Sequence, residues 1–239
     1  MKLKKYAPMI PQEQSVPQDK APQVGGLPQI RQLGVVEYLP TWQAMQNFTD
    51  ARGEADLDQI WVCQHPPVYT LGLAGDPAHL LQRNNIPLVN TDRGGQITYH
   101  GPGQIVIYPL LDLRRYGLKV REYVQLLEQA IIDALVEVGV TDAQRKTDAP
   151  GVYTGRQGTL AKIAALGIKI RRGCAYHGLS LNVDMDLRPF QDINPCGYAG
   201  LETVDLSSIG VKISLHEMQD RLMKKLIHHL EAAQQAVAK

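Results

Sequence analysis

Apolar positions are scarce at the start of the chain and then fall into alternating and helical periods. Met1 to about Pro28 is rich in Pro, Gln and Lys with no apolar period; the pattern predicts a flexible extension, because it cannot bury enough surface to fold. The run IRQLGVVEYL from Ile30 reads as a first strand. Thr41 is placed to cap a short helix in which Trp42, Met45 and Phe48 recur at helical spacing. IWVCQHPPVYTLG, from Ile60, reads as a strand broken by Pro66 and Pro67, since proline lacks the N–H a sheet ladder needs. Gln104 to Tyr108 is a short apolar strand. Val120, Val124, Leu127, Ile131, Leu135 and Val138 form one stripe of an amphipathic helix that Gly139 ends. Gly151 to Val183 is strand-like, and Ile168 and Ile170 alternate with Lys169 and Arg171, predicting one buried and one wet face. Ser214 and Glu217 make a capping box that opens a last helix bearing Leu215, Met218, Leu222, Leu226 and Leu230. Helices and strands mix without regular βαβ alternation and without repeats. The expectation is one α+β domain, 29–239, with a mixed or antiparallel central sheet flanked by helices, preceded by the 1–28 extension.

Composition narrows the classes of function. The chain has 239 residues, 44% of them apolar, and a formal net charge of +1. That balance gives no reason to expect a nucleic-acid partner. No apolar run approaches the roughly 18 residues that span a bilayer, so no membrane partner is expected. The start MKLKKYAPMIPQEQ has lysines but no apolar core of a secretory signal, and too little Arg and Ser for a transit peptide. Cys63, Cys174 and Cys196 are an odd set without paired spacing, which suits free thiols in a reducing compartment and predicts a cytoplasmic protein.

The candidate chemistry lies in two clusters. RGGQITYHGPGQ, Arg93 to Gln104, is neither a Walker A loop nor a dinucleotide fingerprint, because no G-K-[ST] follows and a strand, not a helix, comes next. Two readings stand: a structural turn, or a loop whose free N–H groups meet an anion or an acyl carbonyl. Tyr99-His100-Gly101 is echoed by Tyr176-His177-Gly178, which suggests two histidines facing one cavity, although a lone histidine is more often a packed residue. The second cluster runs from Leu160 to Gly197. Lys162 stands among Ala161, Ile163, Ala164 and Ala165; it either snorkels at a sheet edge or is partly desolvated and usable as a base. Cys196, in a Pro-Cys-Gly turn, is open to chemistry in a way that Cys63 in a strand is not, and Cys174, beside a glycine and two arginines, is its rival.

HPPVYTLG from His65, RGGQITYHGPGQIVIYPLLDL from Arg93, KIAALGIKIRRG from Lys162, YHGLSLNV from Tyr176 and FQDINPCG from Phe190 occur in one order. Together they resemble the octanoyltransferases of lipoate biosynthesis, also called lipoyl/octanoyl transferases or the lipoate-protein ligase B family. The resemblance covers roughly Ile30 to His229. It implies a fold like that of the biotin and lipoate protein ligases. It implies transfer of an octanoyl group from octanoyl-acyl carrier protein to a lysine of the lipoyl domains of 2-oxoacid dehydrogenases and of the glycine cleavage H protein, without metal or cofactor, by a chain expected to be a monomer. By the same resemblance Cys196 is the nucleophile and Lys162 its partner. The acyl chain would lie along Arg93, Gly94, Gly95, Gln96, Ile97, Thr98, Tyr99 and His100, with Ala165, Leu166 and Gly167 and with Gly178, Leu179 and Ser180. Serine at 180 departs from the alanine common in the family.

Such a reaction passes through a Cys196 thioester, with Lys162 taking or balancing the thiol proton and Lys162 or His100 relieving the incoming lysine of its proton. Ile97, Ala164, Leu166 and Leu179 supply apolar walls for an eight-carbon chain. Lys169, Arg171 and Arg172, or Arg114, Arg115 and Lys119, are basic edges for acidic partners. Three other readings remain: an ATP-using lipoate ligase, a non-catalytic acyl-carrier or lipoyl-domain binding module, and a papain-like Cys–His hydrolase whose usual local signature is absent.

Overall fold

The computed structural model describes residues 26–147, 149–156, 158–194 and 201–237. The expected extension up to residue 25 and the nucleophile candidate Cys196 lie outside the described residues. In chain order the main elements are β1 (Gln29–Val35), α1 (Tyr38–Ala51), β2 (Gln59–Gln64), β3 (Val68–Leu71), β4 (Leu88–Asn90), β5 (Ile97–His100), β6 (Gln104–Leu110), α2 (Val120–Val136), β7 (Gly151–Arg156), β8 (Thr159–Arg171), β9 (Cys174–Asn182) and α3 (Leu215–Val237).

The strands form two sheets. One has six strands in the order β1-β2-β6-β9-β8-β7, the other three in the order β4-β3-β5. In each, one pair is parallel (β1 with β2, β3 with β4) and the rest are antiparallel. Mixed sheets with three helices make the α+β fold expected. Pro66 and Pro67 do more than interrupt a strand, since β2 and β3 on either side of them belong to different sheets.

Alternation sorts the large sheet's side chains onto two faces. Ile60, Val62, Ile105, Ile107, Leu179 and Leu181 pack with Leu127, Ile131 and Leu135 of α2 and Met218, Leu222, Leu226 and Leu230 of α3. Trp61, Cys63, Val106, Tyr108 and Tyr176 face the other way, onto Met45 of α1. Tyr69, Leu71, Ile97, Tyr99 and Ile193 form a third cluster under the small sheet.

Some expectations shift. Thr41 is not a cap: α1 begins at Tyr38, and the Thr41 hydroxyl donates to the Glu37 carbonyl one turn back at 2.7 Å. Pro40 sits in the first turn, where a missing N–H costs nothing, and the buried Tyr38 extends the stripe of Trp42 and Met45 back to the helix's first residue. Val120 is exposed at the start of α2. Ile168 and Ile170 pack on the main core as expected, but Lys169 is half-buried rather than wet. The capping box forms: the Glu217 N–H donates to Ser214 Oγ at 3.2 Å and the Ser214 N–H to Glu217 Oε2 at 3.3 Å. Among the described residues no helix is long and apolar enough to cross a membrane.

Candidate active site

A cleft of about 390 Å³ opens between the two sheets. Of the residues expected to bind the acyl chain, Arg93 to Thr98, His100, Ala165 to Gly167 and Gly178 to Ser180 line it, together with Lys162. Tyr99 does not; strand alternation turns it into the small-sheet cluster, edge-on to Phe190 at 5.4 Å.

The loop between β4 and β5 is fixed by its own arginine. The buried Arg93 guanidinium donates to Thr70 Oγ1 at 2.8 Å, to the Thr70 carbonyl at 2.6 Å and to the Gln96 carbonyl at 2.8 Å, tying the loop to β3. On its other side the Gly94 N–H donates to the Ile168 carbonyl of β8 at 2.9 Å. A Cβ on Gly167 would lie 2.9 Å from Arg93 Cδ and 3.1 Å from the Gly94 carbonyl oxygen, so this close approach requires glycine. The loop is a braced turn, as the first reading expected, and it also forms a wall of the cleft.

Lys162 is buried (5% exposed) and no edge residue. Tyr153 of β7 pairs with it on one side; on the other, its N–H donates to the Glu202 carbonyl and its carbonyl accepts from Val204. Nζ donates to the Pro150 carbonyl at 3.0 Å and lies 5.4 Å from the Tyr153 ring centroid. That carbonyl is held by Glu128, a buried carboxylate on the apolar side of α2, which accepts from the Gly151 N–H at 3.0 Å and from Arg145 at 3.1 Å. Gly151 has φ +143°, and a Cβ there would meet Lys162 Cε at 2.6 Å and Nζ at 3.0 Å.

The two Tyr-His-Gly triplets do bring two histidines to the same cleft. His100 stacks on Tyr38, with ring centroids 5.8 Å apart, and meets His65 edge-on. Its Nδ1 lies 2.7 Å from Gln104 Oε1. Burial, His65 and Arg93 push its pKa down to about 3 against the Gln104 hydrogen bond, so the ring is neutral. His177 takes a left-handed backbone, φ +58°, which breaks strand alternation, so that consecutive Tyr176 and His177 both reach Asp92. The Tyr176 hydroxyl and His177 Nε2 (2.8 Å) donate to that carboxylate, as do Trp42 (2.9 Å) and Gln46 (3.2 Å) from α1. Burial opposes ionisation of Asp92, but the bonds from His177 and Tyr176 outweigh it and hold the carboxyl far below the usual range. Burial lowers the His177 pKa despite Asp92, and its Nδ1 is buried without a partner among the described residues.

Neither other cysteine lines the cleft. Burial pushes the Cys63 thiol up to about 12 and raises that of Cys174. His65, 3.6 Å from the Cys63 sulfur, donates from Nδ1 to the Val36 carbonyl and so offers Nε2 to the Tyr108 hydroxyl at 2.7 Å; it forms no thiolate pair. The basic edges are largely engaged within the molecule. Arg171 pairs with Asp50 and Arg172 with Asp50 and the Thr49 carbonyl, while Arg114 pairs with Asp112 and Arg115 with the Glu54 and Asp56 carbonyls. Sequence reasoning passed over Asp92, Gln104, Glu128 and Asn182. One signal for them was legible: Glu128 stands between Val124 and Ile131 on an otherwise apolar stripe.

Residues 37–227 match the family model described as the lipoyl protein ligase A/B catalytic domain. An octanoyltransferase of Dechloromonas aromatica (strain RCB) is 55% identical over 204 residues, which span 85% of this chain and 97% of the relative. One from Bordetella petrii is 60% identical over 193 residues, 80% of this chain and 91% of the relative. In fold, a bipartite lipoate protein ligase from Thermoplasma acidophilum aligns with TM-score 0.66 at 14% identity, covering 85% of this chain and 84% of that one. With the family model matched over residues 37–227 and relatives this similar over 80% or more of its length, the chain belongs to the octanoyltransferases of the lipoyl protein ligase A/B family.

Proposed function

We propose that the chain moves an octanoyl group from octanoyl-acyl carrier protein to the lysine of lipoyl domains, those of 2-oxoacid dehydrogenases and the glycine cleavage H protein, through a thioester on Cys196. The observation that carries this reading is a lysine side chain, Lys162, buried in the wall of an apolar cleft whose other walls are the glycine loop and β9. On the two sides of Cys196 in sequence, the Asn194 N–H donates to the His79 carbonyl at 2.9 Å and Thr203 bridges to Lys162, which supports the reading.

In the first half-reaction Lys162 takes or balances the Cys196 proton, and the thiolate attacks the donor thioester. The tetrahedral oxyanion collapses, the carrier's thiolate leaves, and the octanoyl group rests on Cys196. In the second the acceptor amine attacks that thioester, forming the amide and returning Cys196 to the thiol. Ile97, Ala164, Leu166 and Leu179 wall the chain. At about 0.8 kcal/mol per buried CH₂, roughly fourfold in kcat/KM per carbon is expected up to eight carbons. The chain is proposed to act as a monomer in the cytoplasm.

Intact mass after mixing with octanoyl-acyl carrier protein and no acceptor tests the reading. One octanoyl adduct, labile to hydroxylamine, retained in Cys174→Ser and lost in Cys196→Ser, is expected. Transfer without any adduct would replace the thioester by direct attack within a ternary complex. Transfer that requires ATP would make the chain a ligase.

A further inference from the structure

The second half-reaction leaves one task unassigned. The incoming lysine is an ammonium that loses two protons on its way to the amide, and the second must leave as its nitrogen bonds to the thioester carbon. Around His100 the hydrogen bonds run in one direction. The Asn182 amide donates from Nδ2 to the Val204 carbonyl at 2.9 Å, so its Oδ1 faces Gln104. Gln104 Nε2 donates to that oxygen at 2.9 Å and to the Tyr99 carbonyl at 3.2 Å, and neither acceptor can donate in return. The Gln104 amide therefore cannot be reversed, and its Oε1 is left for His100 Nδ1 at 2.7 Å. An oxygen facing that nitrogen fixes the proton on Nδ1. Nε2 then carries the lone pair, and no hydrogen bond reaches it from the described residues.

We propose that Gln104 and Asn182 are positioning residues that lock His100 in the Nδ1–H tautomer, so that its Nε2 removes a proton from the acceptor lysine during attack on the acyl-enzyme. The proposal rests on the thioester reading above. The step balances as follows. The lysine ammonium gives up one proton on entering the cleft. As its nitrogen bonds to the thioester carbon, Nε2 takes a second, while the Nδ1–H stays on Gln104. The C–S bond breaks, and the imidazolium returns its proton to the departing Cys196 thiolate. The net result is one amide, one thiol and one proton released to solvent. The groups facing His100 keep it unprotonated until the acceptor arrives: Tyr38 of α1 stacks on it, neutral His65 meets its edge, and Arg93 and His177 disfavour an imidazolium. The chain of amides ends at Val204, whose N–H bonds the Lys162 carbonyl, so base and lysine share one backbone frame.

The test has two arms. The first is nitrogen NMR of histidine-labelled protein, with the His100 signal assigned by its loss in His100→Gln. Wild type is expected to show the Nδ1–H form, and Gln104→Leu a mixture shifted toward Nε2–H. The second is single turnover of preformed octanoyl-enzyme with a folded lipoyl domain. Gln104→Leu and Asn182→Ala are expected to slow aminolysis at least tenfold more than they slow acylation by the donor. Gln104→Glu keeps the accepting oxygen and adds a charge. It is expected to hold the Nδ1–H form, raise the imidazole pKa and bring a new ionisation into the pH profile of aminolysis, which also covers the case in which the leucine variant does not fold. An Nε2–H signal in wild type, or acylation and aminolysis slowed equally in every variant, overturns the proposal. Absence of any adduct in wild type instead overturns the thioester reading and the aminolysis role with it, while the tautomer signal still decides the lock.

Discussion

Gly151 shows how much of this site depends on single atoms. The carbonyl of Pro150, the residue just before it, holds Lys162 Nζ, and there is no room for a methyl group between the turn and the lysine stem. Gly151→Ala is expected to displace Nζ, and a misplacement near 1 Å costs about a hundredfold in rate. Acylation of the enzyme at pH 7, followed by mass, should fall by between ten- and a hundredfold with the fold retained by circular dichroism; wild-type rates would show that the lysine's place is unimportant. Asp92 makes a second case. Its folded pKa is depressed, so its contribution to stability is present above the unfolded value near 4 and is lost as pH falls through the folded value. Asp92→Asn is therefore expected to lower the urea midpoint at pH 7, with the gap to wild type closing below about pH 4. A gap independent of pH would mean that the charge does not matter. Lys162 was legible in the sequence because a lysine among alanines breaks a pattern. Asp92, Gln104 and Asn182 were not, because a polar residue in a loop or at a strand end breaks none, and only the fold shows that Asp92 and Gln104 meet histidines and that Asn182 holds Gln104.

At the scale of elements, caps and periods carried most of the information. The box at Ser214 was readable because it needs only two residues at fixed spacing, and it forms. Ser214→Ala is expected to cost about 1 kcal/mol, read as a lower urea midpoint at unchanged m, with acyl transfer unaffected because α3 packs on the side of the sheet away from α1. A change of m instead would mean that the helix end unfolds separately. The start of α1 is not legible for the opposite reason: Tyr38 continues the Met45 stripe but stands at the end of the run that reads as a strand. The sheet order was not legible at all. A strand's period gives its faces but not its neighbours, and β6 between β2 and β9 is settled by packing far along the chain.

The molecule as a whole keeps three histidines neutral in its interior. Burial holds His65 at about 4 and His100 at about 3, and lowers His177. An unfolded histidine binds its proton near pH 6.5. Between about pH 6.5 and 4 the unfolded chain thus takes up protons that the folded one refuses, and stability falls as the pH falls. Urea midpoints measured from pH 7 to 4.5 should decline, and His65→Asn with His100→Gln should flatten the decline; an equal slope would place its origin elsewhere. The fold class and the two histidines at one cleft came from pattern and from the repeated triplet.

Splitting the strands into a sheet of six and a sheet of three also has a consequence for motion. The small sheet has its own compact cluster and is tied to the large one through few backbone bonds, Gly94 to Ile168 among them. Units of this kind open at lower free energy than the body they rest on. An acyl group in the cleft touches both sheets and binds the closed form alone, so it adds its own affinity to the closing of the smaller unit. Amide exchange at Val68–Leu71 and Ile97–His100 is therefore expected to be faster than at Ile105–Ile107 in the free enzyme and to slow on acylation, which would make loading of the substrate the event that brings the two sheets to a common rigidity.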